Sequence, residues 1–107
     1  MTNKRIMLTT ASSKQEARRI ARALVERRLA ACVNIVPGVE SVYRWKSKVE
    51  SAPEWRLVIK TTQSRVAQAQ RAIQEIHSYE VPECLVIGVE GGSREYLKWV
   101  GSSVVGS

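Results

Sequence analysis

Phenylalanine is absent from this chain, histidine occurs once and cysteine only twice. Two cysteines do not make a disulfide framework. Cys32 and Cys84 stand 52 positions apart, so the C-x-x-C pair of a copper chaperone is missing as well. A single histidine limits general-base chemistry, and no Ser/His/Asp or Cys/His pattern stands out. No apolar run approaches the roughly 18 residues of a membrane-spanning helix. No signal-like apolar segment follows the start, so the cytoplasm is the expected compartment. The lack of phenylalanine also counts against nucleic acid. RNA-recognition modules stack bases on aromatic residues of a K/R-G-F/Y-G/A-F-V-x-F/Y strand, whereas the corresponding strand here reads EWRLVIKT.

What is present suits one domain. A length of 107 residues supports a single core without staples, and 44% hydrophobic with 25% charged residues is ordinary for a globular chain. Seventeen basic against ten acidic residues give +7, which favours anionic partners or nonspecific attraction to nucleic acid. Arg18, Arg19, Arg22, Arg27 and Arg28 crowd the first helix, whose opposite face is apolar, so they read as a solvated face.

The longest coherent stretch runs from Leu29 to Thr62. Ala31 to Val36 and Trp55 to Lys60 alternate as strands do. Val39 to Trp45 is extended and aromatic, and Lys46-Ser47-Lys48 is a basic turn. Together they predict one long β-hairpin. Its arms are about twice the usual 5–6 residues of a strand, so the outer half is expected to rest on a second copy of the chain. An uncovered strand edge would otherwise invite aggregation. Pro37-Gly38 marks an edge or bulge in the first arm, and Pro53 does the same for the return arm.

Before the hairpin, Lys4 to Thr10 reads as a strand, and Ser13 with Glu16 as a capping box opening a helix. Ala17, Ile20, Ala21, Leu24 and Val25 form its core stripe, ending near Leu29. After the hairpin come a helix over Thr62 to Ile76 and a strand over Cys84 to Val89, apolar enough to be buried on both faces. A short helix capped by Ser93 follows, over Arg94 to Val100, and then a small-residue tail. The expected domain spans residues 1–102, with a flexible tail over 103–107.

The order β-α-β-β-α-β-α points to an α+β ferredoxin-like split βαβ, an antiparallel sheet with both main helices on one face. The first and third strands would be central. Cys32 and Cys84 would then lie on opposite edges, about 14 Å apart, too far for a disulfide. Val33, Ile35, Trp55, Leu57 and Ile59 would face the helices. Cys32, Asn34, Arg56 and Lys60 would share the open face, a candidate binding surface or the inside of an oligomer.

The densest chemistry lies in His77-Ser78-Tyr79-Glu80-Val81-Pro82-Glu83. His77 and Glu80 could both reach one divalent cation, yet two ligands do not close a site. The alternative for His77 is a helix C-cap. Cys32 as a ligand or nucleophile has little support, since a lone strand cysteine is most often a small buried hydrophobe, and Lys60 reads as an anion contact or a solvated strand-end lysine. Thr9 to Ser13 lacks the Gly-rich character of an acylphosphatase phosphate loop.

The runs LAACVNIVPGVESVYRW, KTT, HSYEVPE and EYLKWV, in that order, resemble the CutA family of divalent-cation tolerance proteins. The likeness covers nearly the whole chain. It implies a ferredoxin-like subunit in a tight homotrimer, similar to PII-type signal proteins, with long hairpins extending onto neighbouring subunits. It also implies a response to metal ions, with copper or another divalent cation bound, and no assigned catalysis. The family's metal-linked histidine falls on His77, with Glu80 beside it. Cys32, Tyr43, Trp45, Lys60, Tyr79 and Glu80 fall on positions that line the cleft between subunits. The proline that usually follows the histidine is Ser78 here, and two further copper-linked positions carry Thr9 and Ile76.

Overall fold

The computed structural model describes residues 1–104. Strand β1 (Lys4–Ala11) leads into helix α1 (Lys14–Glu26). The hairpin strands β2 (Cys32–Trp45) and β3 (Lys48–Thr62) follow, then a short 3-10 turn (Gln63–Arg65) and α2 (Val66–Ile76). Strand β4 (Leu85–Gly88) and helix α3 (Arg94–Ser102) complete the chain. The sheet order is β2-β3-β1-β4, antiparallel throughout. The α+β ferredoxin-like architecture is therefore present, with β1 and β3 in the centre and the two free cysteines near opposite edges.

The core sits between the sheet and α1 with α2. Met7, Leu57 and Ile59 from the central strands meet Ile20, Leu24, Ala69 and Ile73 from the helices, all fully or almost fully buried. Helix α1 starts as a capped helix should, the Ser13 hydroxyl accepting from Glu16 N at 3.0 Å. It stops in a Schellman turn, with Leu29 N donating to Leu24 O and Arg28 N to Val25 O. Arg28 takes the left-handed conformation (φ 57°) there that glycine usually supplies. The hairpin tip is a two-residue turn with positive φ at both Lys46 and Ser47, the twist-matching geometry of tight hairpins.

Several expectations need correction. Val25 is 41% exposed rather than part of the core stripe. It stands beyond the edge of the helix face that the sheet covers. The second helix begins at Val66, because Thr62 still pairs with Lys4 in the sheet. Pro53 sits in an unbroken ladder opposite Glu40, so only β2 carries a bulge. Strand β4, expected to be buried on both faces, is exposed along its whole length: Leu85 is 57% exposed. It lies at the sheet edge, with no strand beyond it among the described residues. The open face is not wholly uncovered either, since Tyr96 of α3 reaches Cys32 there. The chain is also packed beyond Gly101: α3 continues to Ser102, and Val104 is buried with Ala31 and Val100. Residues 105–107 of the expected tail lie outside the described residues.

The bulge positions the site. Val36 pairs with Arg56 and Val39 with Glu54, leaving Pro37 and Gly38 opposite Trp55 alone. Gly38 accommodates the extra residue at φ 77°. One added residue reverses which side chains face which way on β2. Cys32, Asn34 and Val36 before the bulge therefore share the open face with Val39, Ser41, Tyr43 and Trp45 after it.

Candidate functional site

Helix α2 ends at His77, whose extended backbone (ψ 140°) turns the chain out of the helix. Its imidazole is shut away from solvent and lies between two partners. Nε2 donates to Thr10 O at 2.6 Å, and Nδ1 accepts from Tyr79 N at 3.1 Å. That pairing fixes the Nε2-protonated tautomer. With both ring nitrogens engaged within the chain, His77 would have to release the Tyr79 amide before Nδ1 could meet a cation. Its backbone does cap α2, donating to Ile73 O.

Behind the ring lies Glu16, 3% exposed. One of its oxygens accepts from Ser12 N and Ser12 Oγ, at 3.1 and 3.2 Å. The other accepts from Ser78 N at 2.8 Å and stands 4.0 Å from His77 Nδ1. Burial alone would raise this carboxyl's pKa, but the hydrogen bonds from Ser78 and Ser12 and the neighbouring His77 bring it below the ordinary glutamate value. Glu16 thus ties the β1–α1 turn to the loop that follows α2.

Tyr79 is the side chain this framework aims. Its amide is held by His77, its ring packs 4.6 Å from the imidazole, and its hydroxyl donates to Glu54 Oε2 at 2.6 Å. Burial, then the Glu54 carboxylate, pushes the Tyr79 phenol well above its usual pKa. The ring borders a cleft of about 760 Å³ between the loop and the outer hairpin. Tyr43, Trp45 and Glu50 line the hairpin side, with Glu80, Pro82 and Glu83 opposite. Glu83 is paired with Arg56.

Four of the expected cleft residues therefore converge: Tyr43, Trp45, Tyr79 and Glu80. Cys32 and Lys60 do not join them. They form their own contact on the same face at the root of the hairpin, Lys60 Nζ lying 3.9 Å from Cys32 Sγ and bonding Asn34. Cys32 and Tyr43 stand eleven positions apart on the strand, roughly 35 Å. Sequence reasoning missed Glu16 as a tertiary tie, and it missed Glu50 and Glu54. Glu16 carried a signal, its spacing from Ser13, but the two hairpin glutamates carried none. Among the described residues, no group of three or more His, Cys, Asp or Glu side chains could hold a metal ion. The described central strands also offer no base-stacking platform, since their open face carries Ile6, Leu8, Thr10, Arg56, Val58 and Lys60.

The profile of the CutA1 divalent ion tolerance protein matches residues 5–103. The chain is 45% identical over 95 residues to the divalent-cation tolerance protein CutA of Thermus thermophilus, covering 89% of this chain and 92% of that one. It is 41% identical over 98 residues to the chloroplastic protein CutA of Arabidopsis thaliana, covering 92% of this chain and 54% of the longer plant protein. Among solved structures, CutA1 from Oryza sativa superposes with a TM-score of 0.95 at 37% identity, covering 99% of this chain and 97% of that one. The Thermus thermophilus structure gives 0.93 at 42% identity, covering 94% and 98%.

Proposed function

The chain belongs to the CutA1 divalent ion tolerance family, and on that premise we propose that it acts as a homotrimer, PII-like and without turnover, holding a divalent cation or a small ligand in clefts between subunits. Tolerance of metal ions is the function that family membership supports. The observation that carries the assembly is the uncovered apolar surface at both ends of the sheet. Leu85, Val86 and Ile87 of β4 are 45–57% exposed, and Val42 and Val49 of the outer hairpin are 68% and 65% exposed. A soluble chain leaves such strands bare only when another chain covers them.

Within one subunit the metal site is incomplete, because His77 is spent on the protein and no donor cluster forms. Glu80 is the donor this chain offers, and a cation such as copper would need further donors from a neighbouring copy. Cys32 and Lys60 would enter the cleft in the same way, from the root of a neighbour's hairpin. No described helix is long and apolar enough to cross a membrane, and we place the protein in the cytoplasm. Relatives are described as chloroplastic and as periplasmic. Light scattering on the purified protein tests the assembly: three 12.0 kDa chains give a particle of about 36 kDa. A stable 12 kDa monomer at micromolar concentration would remove both trimer and shared cleft. Calorimetric titration with copper, compared between the wild type and Glu80→Gln, tests the cation, and absence of heat from any divalent ion would remove it.

A further inference from the structure

We propose that the cleft between the outer hairpin and the loop after α2 takes an organic cation, an alkylated ammonium group. This rests on the ligand-cleft reading above and names the ligand class for the same site. Three aromatic rings from two separate elements, Tyr43 and Trp45 of β2 and Tyr79 of the loop, border one cavity of about 760 Å³. That volume suits a small organic molecule rather than a bare ion. Within one subunit four glutamates share the lining and no lysine or arginine does, in a chain whose basic residues outnumber its acidic ones 17 to 10.

The carboxylates divide into two kinds. Glu54 is held by the Tyr79 hydroxyl and Glu83 by Arg56. Within the subunit the Glu50 and Glu80 carboxylates have no partner among the described residues, and a neighbour's Lys60 would offset only one of them, so uncompensated negative charge faces the cleft. The four do not converge into a metal-ligand group. Charge spread around aromatic walls suits a cation that is itself diffuse and carries apolar methyl groups. Its positive surface lies against ring faces, and it needs no directional donors. Trp45 already has the Lys46 ammonium 5.9 Å from its ring centroid, so a cation stands near this ring in the chain itself.

The test uses the full-length protein as purified, with choline as probe and 3,3-dimethylbutanol, its neutral isostere, as comparison. Calorimetry should show choline binding at least tenfold more tightly than the isostere. Trp45→Ala should weaken choline about tenfold, as should the Glu50→Gln/Glu80→Gln double variant, while Glu26→Gln on the far helix leaves it unchanged. Equal binding of the two probes would overturn the proposal, and so would silence toward choline. Light scattering on the same sample separates this from the assembly. An intact trimer that binds copper but not choline sinks only the ammonium. A monomer that binds choline keeps the ammonium and sinks the shared cleft.

Discussion

Replacing Glu16 by glutamine tests the framework behind the site with a change of one atom. The carboxylate accepts three hydrogen bonds on two oxygens, from Ser12 N, Ser12 Oγ and Ser78 N. An amide has one accepting oxygen, so its NH₂ must face either Ser12 N or Ser78 N, donor against donor. A hydrogen bond to a charged group is worth about 1.5–3 kcal/mol, and a buried donor left unpaired adds to the loss. Glu16→Gln should therefore cost about 2–4 kcal/mol, a large part of the roughly 5–15 kcal/mol that holds a domain together. The sign of the pH dependence follows from the lowered pKa. The folded carboxyl titrates below the ordinary value of 4.5. Its contribution is complete above that pH and is lost as pH falls through the folded value, where the unfolded chain binds more protons. Urea unfolding at fixed protomer concentration, at neutral pH and again in acid, measures both effects. The wild type should lose stability steeply in acid, and the variant should have less to lose. A variant within about 0.5 kcal/mol of wild type, with the same acid limb, would refute the tie.

Three further outcomes are expected. Ser47→Gly should stabilise the hairpin by about 0.5–1 kcal/mol in denaturant unfolding, because glycine adopts the positive φ of that turn without strain. Tyr79→Phe leaves the buried Glu54 carboxylate without its donor and should cost about 1–3 kcal/mol. In the wild type the Tyr79 phenol ionises above its usual value of 10. Its stabilisation should hold below that pH and fade as pH rises through the folded value, which ultraviolet titration of tyrosinate follows. Ile87→Lys places a charge on the exposed edge strand, where burying a side chain of this size in an interface gives about 1.5–3 kcal/mol. Light scattering should then find dissociation to monomers with the fold intact by circular dichroism. A trimer that survives the lysine would show that β4 is not covered by a neighbour.

The fold was legible because its signals are local. Strand alternation, the Ser13 cap, the Pro37-Gly38 interruption and the apolar stripes of α1 and α2 each lie within a few residues of one another. The site was legible only in part. Tyr43, Trp45, Tyr79 and Glu80 stood out by residue type, and the fold brings them together. His77 stood out equally, but its role depends on Thr10 O, 67 residues away in the chain. Glu54 meets Tyr79 across 25 residues and Glu16 meets Ser78 across 62. Such partners are chosen by tertiary placement, which periodicity does not encode. Strand β4 misled for a related reason. An apolar run announces that a strand will be covered, without saying whether its own chain or another does so.

The bulge joins these levels. The register that places Val33 and Ile35 in the core would, continued unbroken, send Tyr43 and Trp45 to the same face as those residues. The extra residue at Pro37-Gly38 reverses the alternation once, so the inner arm can be oily on the helix side while the outer arm turns its aromatic rings to the opposite face. That is the face where Tyr79 and Glu54 meet, and where Lys60 and Cys32 stand at the hairpin root. A hairpin with arms of 14 and 15 residues could be just as long without a bulge. Only a bulged one presents, on one continuous surface, both the aromatic cleft at its tip and the Lys60–Cys32 contact at its base. The two ends of that surface are too far apart to meet within one subunit.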